Sequence, residues 1–291
     1  MKNVKALTYI IFLGFLFGSG MVAARFSLGQ FDPNTFNSLR LIIVTICFVL
    51  IYAMSPQKGW PRDRKLWLKA GLWGVMGLAL PMTAFITSLK YLSSGVASLL
   101  VTLNAPATLL MAQVFLTDEK LTKRKVIGIL IAFAGAALIL VRGESGLAEF
   151  SRADWRGYAL VGVGILGAAG GLIYARRFLQ GSDNIDVVAI RMVASLLVII
   201  PFTYLMGGFD VSNVQTSGIL VLIFAAVFTT LLTFLLEFYI IDHFGASAAS
   251  QSSYVIPVVA TTLGVLLLGE QVTPTIILGM IAIFIGLRFL N

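Results

Sequence analysis

An all-α membrane protein of ten transmembrane helices in two inverted five-helix repeats is the fold class this sequence predicts. Three observations predict it. The composition suits lipid, ten apolar runs are each long enough to cross a bilayer, and a single 151-residue shift superposes one half of the chain on the other. The 291 residues are 58% hydrophobic and only 12% charged, against about 25% charged in soluble domains. Too little polar surface is present to cover the chain, so its solvent must be the lipid bilayer.

A helix needs about 20 apolar residues to cross the hydrocarbon core. Runs of that kind fall at 6–26, 35–54, 66–89, 95–116, 123–141, 155–175, 184–205, 217–241, 246–268 and 273–290. The first follows Lys2 and Lys5. Asp32-Pro33-Asn34 forms a turn before the second. Trp60, Trp67 and Trp155 lie near predicted helix ends, as interfacial anchors do. Thr273 followed by Pro274 is a cap with proline at the first helical position of the last. Linkers are short and none is of low complexity.

The net charge of +8 lies mostly in short loops, so the positive-inside rule explains it and a nucleic-acid partner is not expected. Loops that alternate from the N-terminus carry fourteen cations, including Lys58, Lys65, Lys123, Arg124 and Arg177. The opposite set carries five: Arg25, Lys90, Arg142, Arg152 and Arg156. Both termini are therefore expected in the cytoplasm. Lys2, Lys5 and Val22-Ala23-Ala24 also resemble a secretory signal. That segment is the repeat partner of 155–175, however, and its removal would leave the first half one helix short. The expectation is that it stays.

The 151-residue shift, without a gap, places Gly20 on Gly171, Ala24 on Ala175, Arg25 on Arg176, Asp32 on Asp183 and Arg40 on Arg191. It also places Pro106 on Pro257, Glu119 on Glu270, Thr122 on Thr273, Gly128 on Gly279, Phe133 on Phe284 and Gly135 on Gly286. Five spans per half is an odd number, so the second half enters the membrane from the opposite side. The repeats, 1–141 and 142–291, are thus expected to be inverted. Proline-interrupted helices at matching positions of two halves point to a transporter's central site.

These features together resemble the drug/metabolite transporter superfamily, specifically its EamA type. The first half carries Ala97-Ser98-Leu99-Leu100, Asn104-Ala105-Pro106, Glu119, Gly128 and Gly135. The second carries Ala248-Ala249, Pro257, Leu268-Gly269-Glu270, Gly279 and Gly286, and Arg40 and Arg191 match a basic position in helix two of each repeat. Thr117-Asp118-Glu119 departs from the Leu-Gly-Glu ending that the second half keeps. The resemblance implies export of amino acids, drugs or other small metabolites by alternating access, across a bacterial cytoplasmic (inner) membrane. It also implies that helices one, three, four, six, eight and nine line the cavity, with five and ten outside.

The residues suggest where a solute would sit. Pro106 and Pro257 lack an N–H and are expected to free the carbonyls of Thr102 and Ser253. Each kink borders a cavity, or is a packed kink satisfied by nearby hydroxyls. Thr102, Asn104, Gln251, Ser253 and Tyr254 gather around the two prolines, as binding groups or as interhelical hydrogen-bond glue. Phe15 and Phe85 wall an apolar pocket or simply pack, and the Tyr174 hydroxyl needs a partner. Glu237 is an intramembrane acid, a possible proton or ammonium site unless it pairs with a nearby base or meets interfacial water. Arg40 and Arg191 are counter-charges or gates, or else helix-end anchors that snorkel to the interface. Gly128 with Gly135, and Gly279 with Gly286, have close-packing spacing for a scaffold or homodimer contact.

Other classes are disfavoured. No Walker motif is present, so ATP does not drive transport directly. The single Cys47 forbids an internal disulfide, the single His243 forbids a multi-histidine metal site, and neither a cofactor nor catalysis is expected. A non-transporting sensor or assembly protein on the same scaffold is the alternative, because fold does not fix function.

Overall fold

The computed structural model describes residues 2–54, 59–116, 121–148, 153–179, 181–244 and 251–290. The described residues are helical with short connections and contain no strand. Glu119, Ala248 and Ala249 of the sequence motifs lie outside the described residues.

Among the described residues, eight helices are long and apolar enough to cross a membrane. They are α1 (Lys2–Ser27), α2 (Pro33–Met54), α3 (Arg64–Ser88), α4 (Ser94–Phe115), α5 (Lys123–Arg142), α6 (Trp155–Phe178), α7 (Asn184–Leu205) and α8 (216–244). Two shorter apolar helices follow, α9 (Ser252–Leu268) and α10 (Pro274–Leu290). Polar side chains set several starts. Ser93 accepts from the Val96 N–H, Thr122 from Lys125, Asp154 from Arg156, and Asp183 from Ile185 and Asp186. Each satisfies an N–H that the first helical turn leaves free. Gly143 and Gly269 close α5 and α9 in the left-handed conformation, where a Cβ is penalised.

Val114, Leu197, Leu266 and Leu267 are largely exposed, so the outward surface is apolar. The buried core joins most of the helices through Phe36, Leu89, Leu92, Leu99, Ile139 and Ile283. Small residues set how closely helices approach. A Cβ on Gly128 would stand 2.6 Å from the Gly286 carbonyl, and one on Gly135 2.8 Å from that of Gly279. The glycine faces of α5 and α10 are thus occupied by each other. Gly14 and Gly18 of α1 lie against Val255, Ile256 and Val259 of α9, and Gly171 of α6 lies against Gly77 of α3.

Three helices are irregular in their middles. α4 breaks between Val101 and Asn104. The Thr102 carbonyl, expected to be freed by Pro106, instead accepts the Ala105 N–H at 3.3 Å in a tightened i→i+3 turn. α3 contains a π-helical turn over Val75–Ala79, and α8 contains one over Val227–Leu232. Moved by 151 residues, the first falls at 226–230 and overlaps the second. An α-helix with a π turn widens by one residue and leaves a carbonyl without its usual partner, which is why such turns cluster at functional positions.

Candidate functional site

Each π-helical turn is met by an arginine from another helix. Arg40 of α2 reaches α8. Its Nε donates to Thr230 Oγ1 at 2.5 Å, and its Nη2 to the Thr229 carbonyl at 3.2 Å and Thr229 Oγ1 at 3.3 Å. Arg191 of α7 reaches α3, where Nη2 donates to the Gly77 carbonyl at 3.0 Å. Both arginines are only 9% exposed. The guanidiniums are buried against neighbouring helices, not extended along their own helices to the interface. Charge in an apolar bundle is expensive, so it is held where backbone carbonyls and hydroxyls can solvate it.

Arg191 has a distinctive setting. Its guanidinium carbon lies 4.1 Å from the Trp73 ring centre and 5.4 Å from that of Phe234. Gly74 makes the approach possible, because a Cβ there would sit 2.5 Å from the Arg191 carbonyl. Ser195 Oγ donates to the Gly74 and Arg191 carbonyls at 2.8 and 2.7 Å, further locking α7 to α3. Arg191 Nε is buried and has no hydrogen-bond partner among the described residues. Glu237 of α8 is partly buried and interacts electrostatically with Arg191, yet no ion pair joins the two among the described residues. Arg191 is seven residues from the start of α7 at Asn184, and Glu237 seven from the end of α8 at Phe244. At 1.5 Å per residue both lie about 10 Å inside the same end of the bundle.

The remaining candidate residues divide around this site. Asn104 and Thr108, one turn apart on α4, both have a buried side-chain oxygen without a partner among the described residues. Thr102 Oγ1 donates to the Leu99 carbonyl at 2.6 Å, and Pro106 and Pro257 are buried. Ser253 is partly buried and Gln251 is exposed. The Tyr254 ring meets Phe284 of α10 at 5.7 Å, and Tyr174 meets Phe178 at 4.8 Å. Phe85 fills the space over Gly164 on α6, whereas Phe15 is 43% exposed. Phe17 of α1 reaches Phe234 with ring centres 6.4 Å apart, which extends the aromatic wall from Arg191 to α1.

Glu270 has a structural task. Its carboxylate accepts from Ser94 N at 2.7 Å, Ser94 Oγ at 2.8 Å and Gly95 N at 3.2 Å, capping α4. A carboxylate there meets the positive end of the helix dipole. It also forms part of a cavity of about 270 Å³, lined by Arg25, Phe26, Leu147 and Leu268, at the end of the bundle opposite Arg191. Among the described residues no cluster of three or more metal-ligating side chains is present.

Sequence reasoning missed Trp73, Thr108, Thr229 and Thr230. The signal was available for Thr230. Under the 151-residue shift its partner is Ala79, so a hydroxyl beside one arginine has no counterpart beside the other.

Known proteins agree with this architecture. An uncharacterized transporter of Archaeoglobus fulgidus is 28% identical over 93% of this chain and 92% of its own length. A Bacillus subtilis transporter, also uncharacterized, is 25% identical over 98% of this chain and 93% of its own. A probable terminal-alkyne amino-acid exporter of Streptantibioticus cattleyicolor is 24% identical over 100% and 95%. One protein crystal structure superposes with a TM-score of 0.66, covering 96% of this chain and 94% of its own at 20% identity, and so shares the fold. The EamA-like transporter family model matches twice, over residues 4–141 and 155–291. Apolar helices, two matched halves and charges buried between them accompany that double match, and this multi-pass membrane protein belongs to the EamA-like transporter family.

Proposed function

We propose that this protein is a secondary transporter that exports a small organic solute, an amino acid or an amphipathic compound, across the bacterial cytoplasmic membrane. It works by alternating access and without catalysis. The chain forms ten spans in two inverted repeats, 1–141 and 142–291, with both termini in the cytoplasm. The two family matches support the duplication, as does the reciprocal contact of Arg40 with α8 and Arg191 with α3. The name of the Streptantibioticus relative supports an amino-acid cargo.

The observation that carries the reading is the pair of ionisable groups of opposite sign, Arg191 and Glu237, held inside the bundle with no ion-pair contact among the described residues. Charges this deep are rare in membrane proteins unless they serve substrate or ion passage. The unpartnered oxygens of Asn104 and Thr108 beside the α4 break add acceptors for a polar solute. On this reading the α4 break and the two π turns let parts of each half tilt, exposing the site to one side and then the other.

Counterflow in proteoliposomes tests the proposal. Vesicles loaded with unlabelled amino acids or amphipathic amines should accumulate the labelled form of at least one of them, saturably. Absence of exchange for every solute, in protein shown to be folded, would refute transport and favour a sensing or assembly role.

A further inference from the structure

Arg40 and Arg191 occupy positions related by the 151-residue shift, yet their settings differ. Among the described residues, the hydrogen bonds of Arg40 are to Thr229 and Thr230, whose hydroxyls and carbonyl take its Nε and Nη2. The equivalents of those threonines beside Arg191 are Leu78 and Ala79. No hydroxyl stands at those two positions, and among the described residues Nε is left buried without an acceptor. A buried donor without a partner is costly and calls for an explanation. The other differences run the same way. Trp73 stands where the second half has Phe224, Phe234 where the first has Thr83, and Glu237 where the first has Ile86. One copy keeps a structural clasp. The other copy loses the hydroxyls and gains two aromatic faces and an acid.

Trp73 and Phe234 lie near the guanidinium, which holds the group without using its N–H edge. Glu237 feels the charge of Arg191 but does not touch it. A solute that complements this set has an anion for Nε, a cation for the carboxylate and an apolar body for the rings.

We propose that the Nε edge of Arg191 receives the carboxylate of an apolar or aromatic amino acid, with its ammonium at Glu237 and its side chain along Trp73 and Phe234. Arg40 is the structural counterpart and takes no solute. This assignment rests on the transport reading and names the cargo class of that site. Nε is sealed from solvent in the present conformation. The carboxylate therefore enters in a conformation in which the packing around Nε has opened.

The test uses the full chain in detergent and in proteoliposomes. Tryptophan fluorescence and thermal shift are followed on titration with L-leucine and L-phenylalanine. The same titrations use their amines, 3-methylbutylamine and 2-phenylethylamine, and their acids, 4-methylpentanoate and 3-phenylpropanoate. At least one amino acid should bind. Removing either of its charged groups should weaken binding about tenfold or more, as loss of a charge-assisted bond does. Arg191→Gln should have the same effect. Ala79→Ser restores a hydroxyl at the position of Thr230 and should raise the melting temperature while weakening binding. Protein that exchanges another solute but binds neither amino acid would overturn the site, as would binding indifferent to Arg191→Gln. Arg191-dependent binding without any flux would instead uphold the site and overturn transport.

Discussion

Replacing each arginine in turn by methionine, which keeps an apolar stem and removes the charged fork, should separate architecture from function. Arg40→Met removes two donor groups from the α8 turn, because Nη2 shares its contact between the carbonyl and hydroxyl of Thr229. Hydrogen bonds between membrane helices are worth about 0.6 kcal/mol on average and about 1.7 at most. The loss is therefore about 1–3 kcal/mol by the same measure. Arg191→Met removes one such bond, to Gly77, and the stacking on Trp73, worth about 0.5–2 kcal/mol. It also removes the orphaned Nε, which costs the folded state about 1–3 kcal/mol. These terms cancel to near zero. Thermal unfolding in detergent is the assay. At about 2–4 °C per kcal/mol for a chain approaching this size, Arg40→Met should melt several degrees lower and Arg191→Met close to wild type. Solute exchange should respond in the opposite order, with Arg191→Met nearly inactive. Equal destabilisation, or a larger drop for Arg191→Met, would refute the claim that only Arg40 is structural.

Three further outcomes follow from the packing and the charges. Gly128→Leu drives a side chain into the Gly286 carbonyl, 2.6 Å from the new Cβ. Overpacking of about 1–3 kcal/mol should reduce folded yield on size-exclusion chromatography. Glu270→Ala leaves the Ser94 and Gly95 N–H groups without acceptors at the buried start of α4. At about 1–3 kcal/mol per orphaned donor it should lower the melting temperature more than Glu270→Gln does. Glu237→Gln should abolish flux driven by a pH gradient and raise about tenfold the solute concentration that half-saturates equilibrium exchange; unchanged gradient-driven flux would exclude Glu237 as the proton carrier.

Much of the fold is legible in the sequence. Apolar runs placed the helices to within a few residues, because a bilayer leaves no other way to satisfy backbone polar groups. Pro106 did mark the interruption of α4, and the glycine spacing of α5 and α10 did mark their close approach, since both effects are local to one helix face. The carbonyl freed by a proline was less legible. Whether the chain tightens into an i→i+3 turn, as at Thr102, depends on what surrounds it. Gln251 and Tyr254 share a helical face in the sequence, yet one is exposed and the other packs on Phe284. Residues on one helix carry no information about which neighbour they meet.

The sequence by itself determined an all-helical membrane protein, its duplication, and the pairing of Arg40 with Arg191, because composition, period and repetition are properties of the chain alone. Only the tertiary structure decided what each arginine does. That depends on the turn brought against it from a distant helix, Thr229 and Thr230 in one case, Leu78 and Ala79 in the other. Two equivalent residues acquire different roles because the energy of a buried charge is set by the acceptors within reach.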